Sequence, residues 1–209
     1  VAFQVIGNDL TLTLAAEATY ERGTPYSTHL TRQVEILRAA NPDAIIAIGA
    51  YAASAAFVRD VVDSGWQVPI ANVSFVGSEA LAAELGDLAG GGIVSQVVPY
   101  HADPSYEVAY EFQTALEKRF PGHKTSFNNL EGYIAAKAFV EGLQRAGRDL
   151  TRDNFIAALE TFKRADFGGV HLTFSPTNHN GSEKVLLTII VNGQGSFAPF
   201  WSEAMSAGR

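Results

Sequence analysis

An uninterrupted apolar segment, Ala44-Ile45-Ile46-Ala47-Ile48, leads directly into the turn Gly49-Ala50-Tyr51. The segment has no alternation of polar and apolar residues, which is typical of a strand that is buried on both faces of a parallel sheet. The preceding residues 30–40 carry apolar side chains at helical spacing, and Asn41-Pro42 predicts the end of that helix. Further upstream, polar and apolar residues alternate from Thr11 and predict a strand that continues to Tyr20. The sequence therefore predicts a helix, a strand and a turn, in this order, over residues 30–51.

The alternation of helix and strand continues downstream. Apolar patterns predict a helix that follows the turn Gly49-Ala50-Tyr51 and ends at Gly65, a strand over Val68–Val73, a short helix over Ser78–Leu85 and a strand over Ile93–Val98. Two consecutive strand–helix–strand connections imply a parallel sheet with helices packed on it. The sequence therefore predicts an α/β fold.

The character of the chain changes after Pro99. Residues 103–165 predict three helices: the first opens at Asp103-Pro104, the second ends at Gly147 and the third is capped by Thr151. From Gly168 polar and apolar residues alternate as they do in antiparallel sheets. Asn192-Gly193 between apolar runs predicts a hairpin. We therefore expect an antiparallel β segment near the C-terminus. The predicted parts are an α/β part over residues 1–98, a helical part over 99–166 and a β part over 167–209.

The composition restricts the possible partners. The 209 residues include 15 Lys+Arg and 22 Asp+Glu, which gives a formal net charge of −7. Nucleic acids and anionic membranes require a basic surface, so we expect neither as a partner. The absence of cysteine excludes disulfides, thiolate metal sites and a cysteine nucleophile. The longest apolar runs are far shorter than the ~20 residues that span a bilayer.

Catalytic and metal-binding patterns are weak. Val76-Gly77-Ser78-Glu79-Ala80 resembles a nucleophile elbow but lacks the second glycine, and Ser78 is better interpreted as the N-cap of the next helix. The five histidines show no spacing typical of metal ligands and are interpreted as surface or loop residues. We therefore predict no enzyme activity, no metal site and no cofactor.

The loops at the carboxyl ends of the parallel strands are the best candidate site, because ligands of such sheets bind there. They combine small residues, aromatic rings and hydroxyl groups, which suits a mostly apolar pocket with a few polar anchors. The alternative is that Tyr51 and Phe75 only cover the ends of strands. The candidate ligand-binding residues are Gly49, Ala50, Tyr51, Ser74, Phe75, Val76 and Tyr100.

A set of short motifs occurs in a fixed order between residues 14 and 200. These motifs are Tyr20-Glu21-Arg22-Gly23-Thr24, Ala40-Asn41-Pro42-Asp43-Ala44, Ser74-Phe75-Val76-Gly77-Ser78, Val94-Ser95-Gln96-Val97-Val98-Pro99, Leu130-Glu131-Gly132-Tyr133-Ile134-Ala135-Ala136 and Gly168-Gly169-Val170 with Phe174-Ser175-Pro176 and His179. Together they resemble the type I periplasmic binding proteins of ABC transporters, specifically the branched-chain amino acid (Leu/Ile/Val) group.

The resemblance implies two Rossmann-like lobes that are joined by a hinge of three crossings and close on a small ligand. Residues 1–98 would form most of the C-terminal lobe, 99–166 would supply helices to the N-terminal lobe, and 167–209 would recross the hinge. Another lobe's worth of chain and the opening strand of the second lobe are lacking, so we interpret the sequence as an incomplete member.

The implied function is that of a solute-binding protein of an ABC importer, located in the periplasm or outside the cell. The expected partners are a small-molecule ligand and the ABC permease subunits. Contact with the membrane would occur only through the permease or a lipid anchor. The alternative is a ligand-sensing domain of a receptor or regulator, because a fold does not fix a function.

The resemblance also implies roles for single residues. Family members carry an aromatic residue at the loop position of Tyr51, which is therefore the leading candidate for ligand contact. Amino-acid binders place a carboxylate in the loop that here contains Ser74 and Phe75, whereas this sequence has Glu79 only several residues later. The departure leaves other small carboxylates, amides and aromatic compounds open as ligands. Tyr100 would lie near the mouth of the cleft.

Overall fold

The computed structural model describes residues 12–192 and 196–199. Its helices are α1 (Thr31–Ala39), α2 (Tyr51–Asp63), α3 (Ser78–Leu85), α4 (Glu107–Arg119), α5 (Phe127–Ala146) and α6 (Arg152–Leu159), with 3-10 helices at Ser74–Val76 and Gly86–Ala89. Its strands are β1 (Ile45–Ala47), β2 (Ile70–Asn72), β3 (Ile93–Gln96), β4 (Ala165–Asp166), β5 (His171–Leu172), β6 (Leu186–Asn192) and β7 (Ser196–Pro199).

The chain divides into two compact units. The first comprises Val1–Ser95 with Leu187–Arg209, and the second comprises Gln96–Leu186. The three predicted parts 1–98, 99–166 and 167–209 concern the lobes of a longer protein, and their assignment to those lobes stays a prediction. No helix of the described residues combines the length and apolar character needed to cross a membrane.

The first unit is built on a five-stranded sheet in the order β1-β2-β3-β6-β7. Strands β1, β2 and β3 are parallel neighbours, whereas β6 and β7 pair in antiparallel register. The predicted α/β class, with a parallel sheet, flanking helices and an antiparallel segment near the C-terminus, is confirmed. The predicted hairpin residue Gly193 lies outside the described residues.

Helices α1 and α2 pack on one face of the sheet at β1. Ile45 is buried there in a core with Val34 and Phe57. The prediction that this strand is buried on both faces is wrong for the described residues, since Ile46 is 56% and Ile48 65% exposed. These two side chains alternate with Ile45 along the strand and therefore point to the opposite face of the sheet.

A buried carboxylate joins the two helices. Asp60 in α2 accepts a hydrogen bond from the backbone N–H of Leu30, the residue just before α1, and further hydrogen bonds from the Arg59 guanidinium. Burial by itself would raise the pKa of Asp60, but the hydrogen bonds from Arg59, Leu30 and His29 and the charge of Arg59 lower this pKa below its ordinary value.

The second unit is mainly helical. Helices α5 and α6 pack so closely that a Cβ at Gly142 would lie 2.7 Å from the Leu159 Cδ2 and 2.8 Å from the Phe155 Cε2. A second group of buried side chains, Ala138, Phe162 and Phe167, lies beside this contact. Among the described residues of this unit, β4 and β5 form a short antiparallel pair. The only other strand residues in this described part are Gln96, the last residue of β3, and Leu186, the first residue of β6.

Several predicted helix boundaries are confirmed and others are wrong. Gly65 and Gly147 have left-handed backbones with φ of 68° and 73°, and the Thr151 side chain accepts the N–H of Asn154 at the start of α6. In contrast, residues 12–20 do not form the predicted strand, and α4 begins at Glu107 rather than at Asp103-Pro104.

Candidate functional site

Two of the predicted ligand loops leave the same edge of the sheet. Ala47, the last residue of β1, lies opposite Asn72, the last residue of the parallel strand β2. The turn Gly49–Tyr51 follows the first strand and the 3-10 helix Ser74–Val76 follows the second. Carboxyl ends of neighbouring parallel strands meet at one edge, so the structure brings these two predicted loops together.

The turn after β1 is held by a tyrosine that is distant in sequence. The Tyr20 hydroxyl donates a hydrogen bond to the Ile48 carbonyl at 3.1 Å. A Cβ at Gly49 would lie 2.2 Å from that hydroxyl and 3.0 Å from the Ser54 Oγ. Only glycine therefore allows the backbone to approach both groups without displacing them.

Ala50 and Tyr51 connect the turn to helix α2. Ala50 has an extended backbone, and its carbonyl accepts the N–H of Ser54 at 3.0 Å. Tyr51 is the first residue of the helix, and 44% of its surface is exposed. The helix start thus fixes the backbone beneath the ring, while a large part of the ring faces solvent.

The 3-10 helix after β2 presents a second aromatic ring. Val76 is 1% exposed, so it anchors the turn, whereas Phe75 between it and Ser74 is 59% exposed. Gly77 has a left-handed backbone with φ of 77°, and its carbonyl accepts the N–H of Leu81 at the start of α3. This geometry allows the 3-10 helix to turn directly into α3.

The polar groups of this edge are neutral at both loops. Residues 48–51 and 73–77 contain no acidic or basic side chain, and Glu79 lies in the first turn of α3. Asn72 is only 3% exposed, and its Oδ1 has no hydrogen-bond partner among the described residues. Sequence reasoning did not identify Asn72 or Tyr20, since neither forms a local pattern with the loop residues.

Tyr100 lies in the second unit. Its ring contacts the rings of His101 and Phe127, with centroids 4.8 Å and 5.7 Å apart. His101 is buried, and its Nδ1 lies 2.8 Å from the Thr125 Oγ1. The interpretation of His101 as a surface or loop residue is confirmed as to the loop, since it lies in a turn, but this loop residue is buried.

The resemblance to a nucleophile elbow has no geometric support. Ser78 is fully buried and is the first residue of α3, while Gly77 occupies the N-cap position. The interpretation of Ser78 as the N-cap is therefore wrong by one residue. In the part of the chain that the structure describes, no three histidine or acidic residues are grouped so that they could hold a metal ion.

Comparisons with known proteins agree with this architecture. Residues 4–206 match the family model of the periplasmic binding proteins. A possible leucine/isoleucine/valine-binding protein from Rhodopirellula baltica is 31% identical, with a TM-score of 0.79, over 88% of this chain and 49% of that chain. A substrate-binding periplasmic protein from Ralstonia solanacearum is 26% identical, with a TM-score of 0.79, over 92% of this chain and 54% of that chain.

A more distant likeness shows the fold alone. The fatty acid ABC transporter substrate-binding protein from Thermomonospora curvata is 20% identical, with a TM-score of 0.71, over 83% of this chain and 46% of that chain. The chain thus spans about half the length of the solved structures that it matches. No curated protein sequence matches it significantly. The match to the family model covers nearly all of the sequence, and the chain belongs to the periplasmic binding protein family, with the type I fold.

Proposed function

We propose that this chain belongs to a solute-binding protein of an ABC importer, which binds a small polar or amphipathic ligand between two hinged lobes. The observation that carries the proposal is the pair of exposed aromatic side chains, Tyr51 and Phe75, on neighbouring loops at the carboxyl edge of a parallel sheet. Ligands of α/β sheets bind at this edge, and their pockets are lined mainly by apolar and aromatic side chains, so the two rings are suited to a ligand.

In this proposal the two loops form one wall of the binding cleft. Tyr51 and Phe75 contact the apolar body of the ligand, while Gly49 and Ala50 allow a close approach of the backbone. Ser74 offers a hydroxyl, and Val76 holds the 3-10 helix in place from below. Tyr100 is the remaining residue of the proposed ligand site.

The ligand in this proposal is a branched-chain amino acid or a related small carboxylate or amide. The similarity to a possible leucine/isoleucine/valine-binding protein favours the amino acid. The neutral loops favour a ligand without an ammonium group at this wall, because an ammonium ion taken out of water requires a nearby acceptor or carboxylate. A related amide or carboxylate keeps the branched apolar body and lacks the ammonium group.

Transport would depend on closure of the lobes. Residues 1–98 would supply most of the C-terminal lobe, 99–166 would supply helices of the N-terminal lobe, and 167–209 would recross the hinge. A ligand that contacts both lobes stabilises the closed form by its additional contacts there, and the permease subunits would recognise that form. The protein would act in the periplasm or outside the cell and would reach the membrane through the permease or a lipid anchor.

Calorimetry on the complete protein that contains this chain tests the proposal. The probes are leucine, isoleucine, valine, isovalerate and isovaleramide, which share a branched apolar body and differ in their charged groups. We expect at least one probe to bind with a dissociation constant in the micromolar range or below. Binding of none of them would contradict the proposed ligand class, and binding unaffected by Tyr51→Ala would contradict the proposed wall.

A further inference from the structure

The second unit contains a cavity of about 280 Å³ that belongs to neither predicted loop. Three basic side chains and one aromatic ring line it: Arg164, His171, Lys184 and Tyr106. We call these four residues the basic cleft. The remaining lining includes apolar residues of the segment around Pro99 and the hydroxyl-bearing Ser182.

The backbone of Arg164 is held in an unusual conformation. Its φ is 58°, in the left-handed region that residues other than glycine, asparagine and aspartate rarely adopt. The Arg164 N–H donates to the Thr173 Oγ1 at 3.0 Å, and the ammonium of the neighbouring Lys163 donates to the Phe174 carbonyl at 3.2 Å. Such backbone strain recurs where a side chain must be held at a functional position, and here that side chain lines the cleft.

A second cation that lines the cleft lies against an aromatic ring. The Lys184 Nζ lies 5.7 Å from the centre of the Tyr106 ring, within the range of a cation–π contact. The Lys184 N–H donates to the Ser182 Oγ at 3.2 Å, which fixes the backbone there. A Cβ at Gly169 would lie 3.3 Å from the Tyr106 ring, so the glycine leaves room for this ring.

Two of the basic side chains, Arg164 and Lys184, are permanently charged. Neither takes part in the ion pairs that the structure shows within residues 12–192 and 196–199. The nearby Asp166 lies opposite His171 in the β4–β5 pair, and its Oδ1 accepts the N–H of Gly169. Unpaired cations at one cavity are notable in a chain whose net charge is −7.

We propose that the basic cleft binds a small anion that bears a carboxylate or phosphate group. The planar guanidinium of Arg164 matches the two oxygens of such a group, and the Lys184 ammonium supplies a second charge. The Tyr106 ring and the apolar lining accept a short carbon body. The cavity is at the small end of ligand pockets, which usually measure ~300–1,000 Å³, so the anion is a small molecule.

The test is a titration of the complete protein with inorganic phosphate in one arm and with succinate in the other, at constant pH and constant ionic strength. Binding is followed by the NMR signals of the His171 ring, which are assigned with a His171→Gln variant. The test variant combines Arg164→Asn with Lys184→Gln, since asparagine tolerates the left-handed backbone. The control variant combines Arg148→Asn with Lys118→Gln, which removes the same charges from exposed positions outside the cleft.

We expect millimolar or tighter binding of at least one anion to the unaltered protein and to the control variant. The test variant should bind at least ~10-fold more weakly, because it loses both charge-assisted contacts to the anion. Binding in one arm alone identifies the preferred oxyanion. The proposal is overturned if neither anion shifts the signals, or if both variants weaken binding equally. Lys184→Gln alone, which leaves the backbone of Arg164 untouched, should also weaken binding if the double variant does not fold.

Discussion

The Tyr20 hydroxyl occupies the space that a Cβ at Gly49 would need, only 2.2 Å from its position. The close approach of Tyr20 to Gly49 connects a segment without regular secondary structure to the turn that begins the candidate ligand site. The same hydroxyl donates to the Ile48 carbonyl, so a single side chain both fills the space and satisfies the backbone. The conformation of the turn thus depends on a residue 28 positions away.

Gly49→Ala should destabilise the chain by about 1–2 kcal/mol, because the added methyl group displaces the Tyr20 hydroxyl and breaks its hydrogen bond. In a Tyr20→Ala background this cost should largely disappear, while the general effect of the substitution on the unfolded chain is the same in both backgrounds. Urea unfolding of the four proteins of this cycle measures the coupling. Equal costs in the two backgrounds would show that Tyr20 and Gly49 are independent.

Asp60→Asn should lower the free energy of unfolding at pH 7 by about 1.5–3 kcal/mol, because the carboxylate accepts charge-assisted hydrogen bonds from Arg59 and also binds the N–H of Leu30. The exposed Asp63 at the end of the same helix provides the control, and Asp63→Asn should leave stability nearly unchanged.

The pH dependence of stability should also report on Asp60. Its pKa is lower in the folded chain than in the unfolded chain, so the ionised form is favoured by folding. This contribution is fully present above the unfolded pKa of about 3.9 and is lost as the pH falls through the folded pKa. Between pH 6 and pH 2, the free energy of unfolding should therefore fall less steeply for Asp60→Asn than for the unaltered chain. The same pH dependence in both proteins would contradict the conclusion that folding lowers the pKa of Asp60.

Gly142→Ala should destabilise the second unit by about 1–3 kcal/mol, although alanine favours helices by about 1 kcal/mol over glycine. The added methyl group would meet Leu159 and Phe155 at the contact between α5 and α6. Gly132 in the same helix has no neighbour within 4 Å of an added Cβ, so Gly132→Ala should be stabilising. Thermal unfolding distinguishes the two variants by their midpoint temperatures. A shift of the midpoint in the same direction for both variants would contradict this packing.

The sequence predicted those features that local rules determine. Gly65 and Gly147 end helices because a left-handed residue is needed there, and Thr151 caps α6 with its own hydroxyl. The apolar run at β1 predicted the strand correctly but not its exposed face. An apolar run shows that a strand can be buried on both faces, whereas the burial itself depends on what packs against it.

The geometry of the candidate site was also predicted only in part, because burial depends on contacts with distant parts of the chain. The positions of Tyr51 and Phe75 after parallel strands follow from the strand–helix alternation, which is visible in the sequence. The approach of Tyr20 to the turn and the burial of Asn72 arise from tertiary contacts, and the motif that begins at Tyr20 does not indicate which part of the chain this residue contacts. The burial of His101 within its loop was likewise not predicted, because it depends on Phe127 and Thr125 in a later segment.

The most direct test of the central claim compares ligand affinities of Tyr51→Ala, Phe75→Ala and Tyr110→Ala in the complete protein, for whichever probe of the calorimetric panel binds. All three rings are at least 44% exposed, so the substitutions should leave folding intact, and Tyr110 on α4 serves as the control. We expect the first two to weaken binding by about 1–3 kcal/mol, or roughly 5- to 150-fold, and the control to have no effect. Unchanged affinity in Tyr51→Ala and Phe75→Ala would contradict the claim that these loops form the ligand site.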